Sequence, residues 1–216
     1  MTYNTSKPSA LLSPYVKQYW SLDNCLPQGK EHIQRIVPSG LFELIFYSGN
    51  KPLSSDPRKI ISDNIVITGQ LKSYHDLKIT GNLSLFAVYF FPHGLSMFLD
   101  LPIKELFNHS VPLNLIFKGK VNQLEEELLS AGSFEQKMTI AENFLISQIY
   151  KNGKKYNYDR IRYVVDLINR SKGVLEIEDM VSESFLSRKQ FERTFSDFVG
   201  TTPKQFIKIV RFQNAI

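Results

Sequence analysis

Near the end of the chain, Arg188, Lys189, Glu192 and Arg193 alternate with Phe191, Phe195 and Phe198 at helical spacing. On a helix, the three rings fall on the inner side and the charged groups on the outer side. Lys189, Glu192 and Arg193 lie three to four residues apart and share one face. Side chains of these types can reach base edges in a DNA major groove. Ser187, just ahead of them, is a good helix cap. Arg188 and the amides behind Ser187 are better suited to phosphate than to bases. The same four charged residues also make an ordinary solvated helix surface, so the elements around them must decide between the two readings.

Those elements have local signatures. Ile161, Val164, Val165 and Ile168 make one apolar helix face, and Ser171-Lys172-Gly173 stops that helix. Ile177, Met180 and Val181 predict a second, short helix ending near Ser184. A third helix opens at Ser187 and closes at Gly200, where glycine supplies a C-cap. Thr202 then caps a fourth helix with Pro203 in its first position. Two short helices about three residues apart, the second basic, predict a helix-turn-helix whose recognition helix enters the groove by its N-terminal half.

The run Ile177-Glu-Asp-Met-Val-Ser-Glu-Ser-Phe-Leu-Ser-Arg-Lys-Gln-Phe-Glu-Arg-Thr-Phe195, with Val199-Gly-Thr-Thr-Pro-Lys-Gln-Phe206 and Arg211-Phe-Gln-Asn-Ala215, resembles the first helix-turn-helix and connecting helix of the AraC/XylS (arabinose-regulator) family. The resemblance spans about sixty residues. It implies two helix-turn-helix units joined by a long helix, with Lys189, Glu192 and Arg193 in the base-reading positions of the first. Two departures stand out. Phe185 occupies the turn where a small residue or glycine is usual, and Val181 stands where alanine is common. The chain reaches Ile216 inside the connecting helix, so it is expected to be a truncated form that binds DNA weakly or not at all.

Upstream, short β-branched and aromatic runs separated by turn residues predict strands at Ile33 to Val37, Leu41 to Tyr47, Ile65 to Gly69 and Leu83 to Phe91. The last is too apolar to be wetted on one face and belongs centrally in a sheet. Lys51 to Lys59 reads as an exposed loop. After Pro112 the pattern turns helical. Leu124, Leu128 and Leu129, then Met138, Ala141, Phe144, Leu145 and Ile149, predict a helical hairpin around Ala131-Gly132. Its apolar stripe suits either intramolecular core or a dimer seam. Lys151 to Tyr158 reads as a linker.

Three segments also resemble an uncharacterised sensor-type domain found ahead of such DNA-binding regions. They are Arg35-Ile-Val-Pro-Ser-Gly-Leu-Phe-Glu-Leu-Ile-Phe46, Phe86-Ala-Val-Tyr-Phe-Phe-Pro-His-Gly-Leu-Ser-Met-Phe98 and Leu106-Phe-Asn-His-Ser-Val-Pro-Leu113. This implies a β-rich effector or oligomerisation domain. The expected fold class is therefore α+β. A β-rich sensor domain over 1–115 is followed by a helical hairpin and linker over 116–155, with a partial, all-α DNA-binding domain over 156–216.

Other chemistry is sparse. His32, His75, His93 and His109 are widely spaced, without a His-x-His or His-x-x-x-His pair, so no metal is expected. No Gly-x-Ser-x-Gly elbow or phosphate loop occurs, and Cys25, the only cysteine, lacks a catalytic context. No enzyme and no cofactor are expected. The residues singled out for an effector are Arg35, Glu43, Tyr89 and His93. Arg35 and Glu43, flanking the Pro38 to Gly40 turn, could face each other across a hairpin, as a structural pair or as a ligand grip. Trp20, Tyr47, Tyr74, Tyr89 and Phe91 suit a pocket for an apolar or ring-bearing effector as well as they suit a core.

The composition agrees with two functional halves. With 43% hydrophobic and 12% aromatic residues, the 216-residue chain has ample material for packed cores. Residues 1–150 carry thirteen basic and thirteen acidic side chains, whereas the last thirty residues carry six basic against two acidic. A neutral body with a basic end suggests a polyanion partner, although a merely solvated basic end fits the charge too. No segment reaches the length of a membrane span and the start lacks a leader pattern, so a cytoplasmic location is expected. The expected partners are double-stranded DNA, a small-molecule effector and a second copy of the chain. The alternative function is a protein-interaction or dimerisation module.

Overall fold

Along β8 (Asn82–Phe90), successive side chains enter two different cores. Phe86, Val88 and Phe90 join the main one, while Leu83, Leu85 and Ala87 join a smaller one on the opposite face. Burial on both faces accounts for the near-continuous apolar run and keeps the strand away from the sheet edge. The computed structural model describes residues 1–149 and 155–216, without the side chains of Lys155 and Tyr156. It sets β8 third in an antiparallel six-stranded sheet. The order is β1 (Thr2–Ser6), β2 (Val16–Cys25), β8, β4 (Phe42–Tyr47), β6 (Ile65–Thr68) and β9 (Ser110–Pro112).

A second sheet of β3 (Glu31–Ile36), β7 (His75–Thr80) and β5 (Leu53–Ser54) covers one face of the first. Ile79 of β7 shares the smaller core with Ile45, Tyr47 and Val66 of the large sheet. On the other face lie a short helix α1 (Leu113–Ile116) and the expected hairpin of α2 (Val121–Ser130) and α3 (Phe134–Ile149). Val121, Leu124, Leu128, Ala141 and Leu145 are buried there. Leu129, expected on the apolar side, is exposed instead.

Two further expectations are corrected. The segment from Lys51 to Lys59 is not simply an exposed loop, because it contains β5 and a 3-10 turn, Pro57–Lys59. Lys59 is buried there, with its ammonium 2.5 Å from Asp56 Oδ2. In addition, β3 and β4 do not form a hairpin, because they belong to different sheets.

The C-terminal part is helical: α4 (Lys155–Arg170), α5 (Ile177–Ser184), α6 (Arg188–Val199) and α7 (Pro203–Gln213). Of the linker expected over Lys151 to Tyr158, residues 151–154 lie outside the described residues, and helix is present from Lys155. Ile161, Val164, Val165, Ile168, Met180, Phe191, Phe195 and Phe206 belong to the same continuous core as Phe42, Phe86 and Leu95. Polar contacts join the halves as well. Tyr158 Oη donates to the Pro14 carbonyl at 2.9 Å, and Gln213 Nε2 donates to the Pro38 carbonyl at 2.7 Å. No helix among the described residues is long and apolar enough to cross a membrane.

Candidate nucleic-acid interface

The junction between α5 and α6 is set by local backbone chemistry. Phe185 closes α5 with φ 55° and ψ 34°, and its amide donates to the Ser182 carbonyl at 3.2 Å. This is the left-handed turn position the sequence pointed to, and it is held by a phenylalanine that is 82% exposed. Ser187 then opens α6 with a reciprocal capping box. Its Oγ accepts from the Gln190 amide at 3.4 Å, and Gln190 Oε1 accepts from the Ser187 amide at 3.2 Å.

The faces of α6 divide as the spacing predicts. Phe191 and Phe195 are fully buried, with ring centroids 5.6 Å apart, and Phe206 of α7 extends the stack at 5.9 Å from Phe195. Lys189, Glu192 and Arg193 are exposed on the opposite side. Neither Lys189 nor Arg193 forms an ion pair with a described residue. Arg188 differs, because its guanidinium donates to Glu178 Oε1 at 2.8 Å and to Glu192 Oε1 at 3.4 Å. All three side chains of this network are solvent-exposed. Such exposed pairs contribute little to stability.

At its far end α6 is clamped to the large sheet. Gln70 Nε2, just after β6, donates to the Val199 carbonyl at 2.7 Å in a buried contact. Lys104 pairs with Asp197 at 2.9 Å. Gly200, at φ 79°, lies so close to β4 that an added Cβ would stand 2.8 Å from Phe42 Cζ and 3.2 Å from Ile103 Cγ2. Sequence reasoning missed this clamp, since nothing in the local pattern joins residues so far apart in the chain.

Of the four residues singled out for an effector, two come together. Glu43 and Tyr89 are directly opposite on β4 and β8. Alternation turns both toward the face that carries the smaller core. Trp20 of β2 joins them, donating its indole N–H to Glu43 Oε1 at 3.0 Å. Its ring stacks on Tyr89 at 5.7 Å and meets Tyr3 of β1 at 5.9 Å. Burial pushes the Glu43 carboxyl up to about 7, against the hydrogen bonds from Trp20 and Tyr89 that favour its charged form. In the sequence Trp20 is legible only as a candidate pocket aromatic, and no local signal marks Tyr3.

The other two lie elsewhere. Arg35 does not face Glu43. On β3 its Nε and Nη2 donate to the Asp76 carboxylate at 2.8 and 3.0 Å, and its guanidinium sits 4.4 Å over the Tyr74 ring. The physical reason is the sheet assignment, which pairs Arg35 with Asp76 across β3 and β7. His93 is buried beyond the end of β8, stacked on Phe91 at 5.9 Å and edge-on to Tyr158 of α4 at 5.3 Å. Burial pushes its imidazole down to about 4. No group of three or more His, Cys, Asp or Glu side chains among the described residues could hold a metal ion.

The class defined by this architecture is a two-layer antiparallel β unit that shares one core with a helix-turn-helix unit. Residues 4–112 match the family described as a domain of unknown function (DUF6597), and the chain belongs to that family. Among solved structures, the chain is similar to the AraC-like transcriptional activator CuxR, with 14% identity and a TM-score of 0.36, over 99% of this chain and 86% of that one. It is also similar to ToxT from Vibrio cholerae, with 10% identity and a TM-score of 0.33, over 88% of this chain and 98% of that one. A ToxT structure bound to (E)-4-(8-methylnaphthalen-1-yl)but-3-enoic acid shows 11% identity and a TM-score of 0.32, over 89% of this chain and 99% of that one. At such values the likeness transfers neither function nor residue roles. No curated protein matches the chain.

Proposed function

We propose that the chain is a DNA-binding transcription regulator in which α6 reads base edges and the β-rich half senses a small-molecule effector. The observation that carries this reading is the exposed face of α6. Lys189 and Arg193 stand there without acidic partners among the described residues, in the N-terminal half of a capped helix whose other face is sealed by phenylalanines. Cations left unpaired on a rigid helix are preorganised for a polyanion. Lys189, Glu192 and Arg193 are assigned to bases, and Arg188 with the amides after Ser187 to phosphate.

The effector is assigned to the Glu43 and Tyr89 face, apart from Arg35 and His93. Coupling has a short physical route. Glu43 and Phe42 are neighbours on β4 with opposite orientations, so a shift at Glu43 reaches Gly200 at the end of α6 through Phe42. Such a shift controls DNA binding only if the effector prefers one arrangement over the other. A second copy of the chain is assigned to the α2 and α3 hairpin, where Leu129 stays exposed.

Fluorescence anisotropy with random duplex DNA at low and moderate salt tests the reading. Binding should weaken steeply with salt, with a log–log slope of about −0.9 per phosphate neutralised. Arg193→Ala should weaken binding by about 1–3 kcal/mol on a preferred sequence. If neither the folded chain nor a longer form extended past Ile216 shows salt-dependent binding at low ionic strength, the regulator reading fails and a pure interaction module replaces it.

A further inference from the structure

Glu43 is a carboxylate surrounded by aromatic rings and left without a cation. Both of its hydrogen-bond donors, the Trp20 indole and the Tyr89 hydroxyl, are neutral. No Lys, Arg or His among the described residues forms an ion pair with it. Arg35, close in the chain, is engaged by Asp76 and Tyr74. The titratable groups that feel its charge are Tyr89 of β8 and Tyr47 of β4, with Tyr3 of β1 acting on Tyr89. None of these supplies a positive charge. In its charged form this half-buried carboxylate has only neutral donors around it, and a cation would complete it.

The rings around Glu43 present what a cation needs. Aromatic faces carry negative electrostatic potential and attract ammonium groups, tryptophan most strongly. Trp20, Tyr89 and Tyr3 sit side by side on adjacent strands of the sheet, and Tyr3 lies on its edge strand. The site is also reachable, since Glu43, Trp20 and Tyr89 keep partial exposure and Tyr3 is exposed.

We propose that Glu43, Trp20, Tyr89 and Tyr3 form a binding site for an organic cation, a small ammonium or quaternary ammonium compound. Its charge meets the Glu43 carboxylate and its carbon substituents lie against the Trp20 and Tyr3 rings. The proposal deepens the effector part of the function proposed above by naming the ligand class, and it does not depend on DNA binding.

Trp20 is the only tryptophan in the chain, so its fluorescence reports on the site directly. The probes are tetramethylammonium, choline and benzyltrimethylammonium, with 3,3-dimethylbutan-1-ol as the uncharged counterpart of choline. At least one cation should change the Trp20 emission saturably. Choline should bind about tenfold or more tightly than the uncharged alcohol. Glu43→Gln keeps an acceptor for the indole and removes the charge, so it should weaken cation binding by about tenfold or more without loss of fold by circular dichroism. Affinity should rise between about pH 6 and pH 8, because the carboxylate form binds and these probes do not titrate.

The proposal is overturned if no cation saturates the signal, if the alcohol binds as well as choline, or if folded Glu43→Gln binds unchanged. DNA anisotropy without any cation separates the two readings. Cation selectivity with no DNA binding sinks only the regulator reading, and intact DNA binding with no cation selectivity sinks only this one.

Discussion

At the scale of single residues, two side chains sit where folding alone would not put them. Phe185 holds a left-handed backbone at φ 55° while remaining 82% exposed, so it carries strain without burial to offset it. Phe185→Gly should therefore stabilise the chain by about 1 kcal/mol in urea unfolding. A loss of stability would show that the ring makes contacts that matter. Glu43 is the other. Its carboxyl is raised from 4.5 to about 7, so the native state holds more protons than the unfolded chain between those values. Stability contributed by this group therefore falls as pH rises through that window and stays low above it. Glu43→Gln should raise the thermal midpoint at pH 8 more than at pH 5, and equal shifts at both would contradict the assignment.

At the scale of elements, α6 is held differently at its two ends. Its N-terminal turn is secured by its own capping box and faces solvent, whereas its last turn is fixed by Gln70 and Lys104 and by the close approach of Gly200 to Phe42. Gln70→Leu would leave the buried Val199 carbonyl without its donor, a loss of about 1–3 kcal/mol. Hydrogen exchange should then speed up in the final turn of α6 more than in α5, and unchanged protection there would mean that the clamp is not structural. Much of the element pattern was legible beforehand. The last two helices were readable from Ser187, Gly200, Thr202 and Pro203 because caps and breakers act within a few residues of the ends they define. β1 and β9 were not, since one is exposed and the other is three residues long.

At the scale of the whole molecule, the two halves meet over a shared core in which His93 is buried against Tyr158 of α4. Its imidazole is lowered from 6.5 to about 4, so the unfolded chain takes up a proton between those values and the native state does not. Stability contributed here is complete above about pH 6.5 and is lost as pH falls through about 4, by on the order of 3 kcal/mol. The Glu43 effect runs the other way over an overlapping window, so the acid profile is best measured in Glu43→Gln. In that background, His93→Leu should flatten the decline between pH 6.5 and 4, and an unchanged slope would place the acid lability elsewhere.

The helix-turn-helix, the exposed face of α6, the inner position of β8 and the helical hairpin were all legible in the amino-acid sequence. Each rests on a period of two or 3.6 residues, or on a cap, and these are properties of neighbours in the chain. The fold alone pairs Arg35 with Asp76, brings Trp20 and Tyr89 to Glu43, buries Lys59 on Asp56 and rests Gly200 on Phe42. Apart from the Lys59 contact, these join residues brought together by sheet pairing or packing across many positions of chain. Strand register and sheet membership are chosen by the total apolar surface that the whole chain can bury, a quantity that no local stretch of sequence contains.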